Sequence, residues 1–312
     1  MLYKFTIEPA SGIGTPFHSD ILFGHACWAI ALYEGEEAIS AMINEARSAK
    51  PALIFSDGFP AGYLPLPLPL KSRLLQVTDT TTIEERQRFK AFKKIRWINR
   101  QDAEEKKWNI SLGDAEFCCK HDQPFEAVHL RNSIDRYTGT SLKKNGLFEV
   151  TYDWYDGIWK QVDIYVSTLW TEERLAAVLE RIFSNGYGKD SSTGCGKVKI
   201  ISLQKDKFPE ADDSKYFLSL SRMIPCEKID IGKSFWQVEA KYGKVWQALS
   251  ADNPFKKPII QMLPGSVFST TRASAYYGSL IEHVHSDERV VENCMSIPYP
   301  LPESVITGES HE

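Results

Sequence analysis

Leu2-Tyr3-Lys4-Phe5-Thr6-Ile7 alternates apolar and polar residues in steps of two, the period of a strand with one covered face, so the chain is expected to open on a strand. Gly12-Ile13-Gly14-Thr15-Pro16 breaks that pattern. Ser19 or Asp20 then stands where a helix cap belongs, ahead of Leu22, Trp28, Ile30 and Leu32. This helix is apolar nearly all round, which predicts burial. Leu64-Pro65-Leu66-Pro67-Leu68-Pro69 cannot be a central strand because alternate residues lack an amide donor, and it reads as an extended edge or polyproline segment. A charged, helical excursion is expected from Thr80 to Asn109. Leu147 to Asp153 and Lys160 to Val166 are strand-like runs around Asp156-Gly157, a hairpin turn pair. Next, Thr171 can cap a helix with Glu172 and Glu173 in its first turn, a stripe of Leu175, Val178, Leu179 and Ile182, and a stop at Asn185-Gly186. Lys197 to Gln204 follows as a strand.

The order strand, helix, long insertion, hairpin, helix, strand is that of a ferredoxin-like βαββαβ unit with an expanded middle, an architecture shared with RNA-recognition domains. Beyond about Asp206 a second block opens on Tyr216-Phe217-Leu218-Ser219-Leu220 and closes on strand-like Cys294 to Ile297 before an acidic, frayed tail. It can be a degenerate second copy, although no clear internal repeat runs through it. The expected class is α+β, with one unit over residues 1–205, an insertion at about 73–128, and a second unit over 206–312.

Composition narrows the function classes. With 312 residues, 43% hydrophobic and 12% aromatic, the chain can build two ordinary cores, which excludes disorder as its description. A formal charge of -4 and a pI of about 6.0 mean that a nucleic-acid site must be a local basic surface, and leave room for protein partners. No charged-then-apolar leader and no bilayer-length apolar run is present. The six cysteines, Cys27, Cys118, Cys119, Cys195, Cys226 and Cys294, lack a paired zinc spacing and the density of a secreted disulfide scaffold, so a reducing cytoplasm is expected.

Candidate chemistry centres on Gly186-Tyr187-Gly188-Lys189-Asp190-Ser191-Ser192-Thr193-Gly194-Cys195-Gly196-Lys197. Four glycines interleaved with hydroxyls and lysines can lay backbone amides against phosphate, or form a plain flexible connector. Nucleotide templates fail: Walker A needs glycine where Ser191 stands and a hydroxyl where Val198 stands, and the dinucleotide fingerprint follows a strand, not a helix. From Arg86 to Arg100, Arg86, Arg88, Lys90, Lys93, Lys94, Arg96 and Arg100 alternate with Phe89, Phe92 and Trp97 and no acid intervenes. Cations with flat rings suit single-stranded nucleic acid, whereas the plainer alternative is a solvated helix face with an apolar stripe. Arg131-Asn132-Ser133-Ile134-Asp135-Arg136 supplies guanidiniums that can stack on bases or fork onto phosphate, unless Asp135 locks them. His18 invites an acid-base role in RNA cleavage, but no second histidine or lysine is placed to complete it. Cys118-Cys119-Lys120-His121 and Glu282-His283-Val284-His285 each lack a metal-site partner at a recognised spacing.

His18-Ser19-Asp20-Ile21-Leu22-Phe23-Gly24, Phe55-Ser56-Asp57-Gly58-Phe59-Pro60, Asn132-Ser133-Ile134-Asp135-Arg136-Tyr137-Thr138-Gly139, the glycine loop, and Lys257-Pro258 with Gly265-Ser266-Val267-Phe268 fall in an order that resembles one family. It is that of the fourth-named subunit of the Csm complex, the repeat-associated (RAMP) protein that caps the crRNA 5′ handle in type III-A CRISPR effectors. The resemblance spans roughly Met1 to Leu301. It implies two ferredoxin-like domains in a non-catalytic subunit without cofactor. Such a subunit would hold the repeat-derived handle and touch a large polymerase-like subunit and a backbone RAMP subunit. By position, Gly186, Gly188, Lys189, Ser191, Thr193, Gly194, Gly196 and Lys197 would meet RNA, with His18, Arg131, Asn132 and Arg136. The excursion from Arg73 to about Val128, with Arg88, Lys93 and Lys94, takes the place of the family's thumb near guide-target pairing. Cys195 and the Cys118 to Gln123 stretch depart from the family pattern.

Overall fold

The computed structural model describes residues 1–75, 90, 92–142, 146–209, 214–245 and 253–307. Strand β1 (Leu2–Pro9) turns Tyr3, Phe5 and Ile7 into a core, as its alternation requires. Helix α1 (Ser19–Tyr33) begins as expected, but the residue before it is His18, which makes no side-chain cap. The Ser19 hydroxyl is used elsewhere: it accepts from the Arg222 amide at 3.0 Å. Nor is the helix covered throughout. Leu22, Phe23, Ala26 and Ile30 are buried whereas Leu32 is 64% exposed, because at about 100° per residue it points away from the stripe those four make.

Helix α2 (Glu36–Arg47) leads to the short strands β2 (Leu53–Phe55), β3 (Phe59–Pro60) and β4 (Tyr63–Pro65). Only the first half of the Leu-Pro run stays extended; Pro67 then heads helix α3 (Leu68–Leu74), where Pro69 sits in the first turn and its missing amide costs nothing. Strand β5 (Trp97–Asn99), helices α4 (Arg100–Glu105) and α5 (Leu112–Cys118) and strand β6 (Cys119–Lys120) complete the described part of the insertion. Ile98, Ala103, Trp108, Ala115 and Cys118 pack with Leu64, Leu70, Tyr299 and Leu301 in the molecule's second core, so this part belongs to the body. What stands out from the body is a hairpin of β7 (Phe125–Asn132) and β8 (Leu147–Trp154), on which Phe125, Val128, Leu130 and Leu147 are exposed.

Strand β9 (Val162–Thr168), helix α6 (Glu172–Ser184) and strand β10 (Val198–Lys205) return to the first core. The antiparallel sheet runs β10-β1-β9-β2, with β3 also on β9, and α1 and α6 cover one face. That is the neighbour order of a βαββαβ unit. The Asp156-Gly157 expectation fails, since β8 pairs with β7 and β9 with β1. Asp156 accepts from the Gly157 amide at 2.7 Å and starts a short 3-10 turn between two sheets. Local turn preference loses to burial: Val162, Ile164 and Val166 fill the core beside β1, and β8 has only Val150 and Tyr152 to bury.

The second half comprises β11 (Tyr216–Ser219), β12 (Ile229–Phe235), β13 (Val238–Lys241), β14 (Ile259–Met262), β15 (Val267–Thr270), β16 (Tyr277–Ile281), β17 (Glu292–Ser296), β18 (Pro298–Leu301) and helix α7 (Ser304–Thr307). Its main sheet runs β12-β15-β11-β18, flanked by hairpins β13–β14 and β16–β17. Among the described residues, α7 is the one helix after Asp206, and none of their helices is long and apolar enough to cross a membrane.

Candidate nucleic-acid interface

The glycine loop joins α6 to β10. Thr171 caps α6, Leu175, Val178, Leu179 and Ile182 are buried, and Gly186 follows with φ +83°, all as the sequence predicts. Inside the loop, Tyr187 is buried against Phe17 and His25, ring centroids 4.8 and 4.6 Å away, and its hydroxyl donates to the Pro16 carbonyl at 3.0 Å. The loop is therefore a folded plug. Its amides are largely spent within the protein: Tyr187 donates to Gly196 O, Gly196 to Gly12 O, Lys189 to Thr15 Oγ1, Lys197 to Ser11 Oγ, and Thr193 and Cys195 to Asp190 O. The expectation of a loop lined with bare amides for phosphate is narrowed accordingly, since most of them are engaged within the protein. The glycines serve close approach instead; a Cβ on Gly196 would lie 2.0 Å from the Tyr187 carbonyl oxygen. Facing solvent are Lys189, Thr193, Gly194 and Lys197; Gly186, Gly188 and Ser191 are half-buried and Gly196 is buried.

Hairpin β7–β8 leans on this plug, with Gly12 and Gly14 between them, where Gly12 faces Tyr152 and Gly14 faces Lys189. Arg131 and Tyr152 link hairpin and plug. The Arg131 guanidinium lies 5.5 Å from the Tyr152 ring centroid, 3.4 Å from Asp190 Oδ1 and 3.4 Å from Thr193 Oγ1. The Tyr152 hydroxyl donates to Asp190 Oδ2 at 2.5 Å. Asn132 donates to Ser141 Oγ across the hairpin's far end, and Arg136 is exposed at the tip. Asp135 does not lock the arginines, because its carboxylate accepts from the Tyr137 and Thr138 amides and shapes the turn.

His18 belongs to a different cluster, between the two halves. Its Nε2 lies 3.0 Å from an Arg222 nitrogen, and Arg222 also reaches Asp57 at 3.2 Å and Glu239 at 2.6 Å. Burial pulls the His18 imidazole below its ordinary range, and Arg222 adds to this against the opposing charge of Asp57. Alongside, Lys241 bonds Asp20 and Glu292, Lys256 bonds Glu292, and Gln261 donates to Asp20. Burial alone would raise the Asp20 carboxyl, but Lys241 outweighs it and holds it down. The polar side of β13–β14 thus faces the body, with Lys241 and Gln261 inward, while Val238, Tyr242 and Ile260 are exposed.

Lys93 and Lys94 are exposed beside buried Phe92 and Ile95, and Arg88 lies outside the described residues. No bond among the described residues joins these lysines to the loop. Cys118 and Cys119 are buried with their sulfurs 3.8 Å apart, and among the described residues no three His, Cys, Asp or Glu side chains form a metal-ligand group. Sequence reasoning passed over Thr15, Tyr152 and Asp190, which build the site, and Arg222, which joins the halves. Thr15 carried a signal through Gly12-x-Gly14-Thr15-Pro16, and Asp190 as the one acid within the glycine loop.

No family model matches the sequence, and no curated protein does. Solved structures do. A chain of a Csm1-Csm4 cassette in complex with pppApApA aligns over 96% of this chain and 99% of its own, with a TM-score of 0.58 at 16% identity. A second cassette, in complex with AMPPNP, aligns over the same shares with a TM-score of 0.58 at 17% identity. A chain of the Csm3-Csm4 subcomplex in the type III-A CRISPR-Cas interference complex aligns over 97% of this chain and 100% of its own, with a TM-score of 0.59 at 12% identity. The chain therefore shares the fold of these chains from Csm1-Csm4 and Csm3-Csm4 assemblies, a mixed α and β architecture of several antiparallel sheets.

Proposed function

We propose that this chain is a non-catalytic crRNA-binding subunit of a type III-A CRISPR RNA-guided effector complex. It holds the 5′ repeat-derived handle and bridges a large polymerase-like subunit to the backbone RAMP subunits, in the cytoplasm and close to target RNA through the guide duplex. Both halves are read as ferredoxin-like, the second in degenerate form. The observation that carries this reading is the meeting of Arg131 with the exposed rim of the glycine loop on a Csm4-like fold, with Lys189 and Lys197 on the same loop. Guanidinium and ammonium groups on a rigid surface hold phosphates in register, and splayed bases remain free for stacking. Exposed apolar residues on β7–β8 and β13–β14 support protein partners on other faces.

The absence of catalysis is supported by the setting of His18, whose Nε2 is engaged by Arg222 rather than offered to a substrate. Purified chain incubated with repeat RNA tests the whole reading. Binding without cleavage is the expected result. Cleavage that is lost in His18→Ala would replace it with a RAMP endoribonuclease, and failure to bind would remove RNA from the account.

A further inference from the structure

The contact between hairpin and loop already contains an anion. Asp190 is the one carboxylate in residues 186–197, a segment with two lysines and three hydroxyl side chains of Ser or Thr. It sits in the left-handed region at φ +62° and ψ +21°, and its carbonyl oxygen accepts from the Thr193 amide, the Thr193 hydroxyl and the Cys195 amide. That backbone fixes the carboxylate between Tyr152, which donates to it at 2.5 Å, and Arg131 at 3.4 Å. The ion pair is long, with no forked geometry. Arg131 has five N–H donors, and its two polar contacts here, to Asp190 and Thr193, are both at 3.4 Å, on a side chain that is 31% exposed. Such a guanidinium is held in place without being saturated, and it lies over the Tyr152 ring within cation–π range.

We propose that the Asp190 carboxylate is an internal stand-in for an RNA backbone phosphate: it occupies the anion position between Arg131 and Tyr152, and a phosphodiester gains that position only by displacing it. The inference rests on the RNA-binding reading above. In the free protein the carboxylate keeps Arg131 and Tyr152 oriented. In the complex it becomes a competitor, so the chain holds RNA more weakly, and with less salt dependence, than its cations alone would dictate. A partly exposed pair restrains binding only modestly.

Asp190→Asn is the suitable probe, because asparagine tolerates the left-handed conformation and its amide oxygen can still accept from Tyr152, while the charge is gone. Binding of a fluorescein-labelled, mixed-sequence, twelve-nucleotide single-stranded RNA is followed by anisotropy at several salt concentrations. Compared variants are Asp190→Asn, Arg131→Ala, the double substitution, and Glu149→Gln on exposed β8 as a measure of losing any one negative charge. Asp190→Asn is expected to bind about three- to tenfold more tightly than wild type and more tightly than Glu149→Gln. Its salt slope should steepen by about 0.7, one further phosphate neutralised. In the Arg131→Ala background the gain should vanish, since there is no guanidinium left to release. Wild type that binds RNA with Asp190→Asn unchanged, weaker, or equal to Glu149→Gln overturns the stand-in while leaving the RNA reading intact. No binding by wild type or any variant overturns both.

Discussion

Gly194 and Gly196 stand two residues apart in the loop, and the structure assigns their substitutions opposite consequences. Gly194 is exposed at φ +92° with no atom within 4 Å of where a Cβ would lie. A side chain there meets no neighbour, so the cost is the left-handed backbone alone, about 1–2 kcal/mol. At about 2–4 °C per kcal/mol for a chain of this size class, Gly194→Ala and Gly194→Val should lower the thermal midpoint by roughly 2–8 °C and leave a folded protein. Gly196→Ala instead drives a Cβ to 2.0 Å from the Tyr187 carbonyl oxygen, whose own amide donates to Gly196 O at 2.8 Å. Relief requires moving Tyr187 off Phe17 and His25, and the soluble yield should fall sharply. If RNA lies against the rim, the isopropyl group of Gly194→Val must push it back, weakening binding about tenfold, or 1.4 kcal/mol, beyond Gly194→Ala. Repeat-RNA titrations and thermal melts on both variants separate strain from obstruction. A folded Gly194→Val with the affinity of Gly194→Ala would take the loop's outer edge out of the interface.

Replacing Lys93 and Lys94 together by alanine should flatten the slope of log affinity against log salt by roughly 0.7 to 1.4 with RNA carrying handle and guide, and leave handle preference alone; superimposable slopes would make them a solubility face or a protein contact. Arg222→Met leaves the 10% exposed Asp57 side chain with the Ser19 amide but without its cation and should cost about 3–5 kcal/mol in urea unfolding, part of it regained by adding Asp57→Asn; a loss below about 1 kcal/mol would show that the buried carboxylate does not depend on Arg222. Burial lowers the His25 imidazole to about 4, below its unfolded value near 6.5, so the unfolded chain binds more protons in that interval. The associated stability is complete above pH 6.5 and falls by at most about 3 kcal/mol as pH drops towards 4. Unfolding of wild type and His25→Phe over this range should diverge by that amount, and parallel curves would refute the burial argument.

Much of the first sheet was legible because its patterns are local. The alternation of Leu2 to Ile7 and the stripe on α6 each state which side is covered, and their order restricts the topology to few choices. Asp156-Gly157 misled because a turn pair specifies a bend and not the partner of the strands it joins. Leu32 misled because a helix that is apolar nearly all round does not state which of its sides is covered. The second half was less legible, since its strands have their partners far along the chain: β11 pairs with β15 and β18, about fifty and eighty residues later.

The loop shows how contacts made far along the chain change what a motif can offer. Glycines in a cationic, hydroxyl-rich stretch suggest amides offered to phosphate, but most of these amides are satisfied within the fold, those of Lys189, Gly196 and Lys197 by acceptors in segment 11–15. That segment lies more than 170 residues away, beyond any local pattern. Nor could periodicity find Arg131, Tyr152 and Asp190 as a set, because hairpin register brings Tyr152 and Arg131 to the same face and only the plug's left-handed turn brings Asp190 to both. The cations legible in sequence identify where an anion is wanted. Which anion is present first, and therefore how strongly an RNA phosphate must compete, depends on a contact that only the folded chain makes.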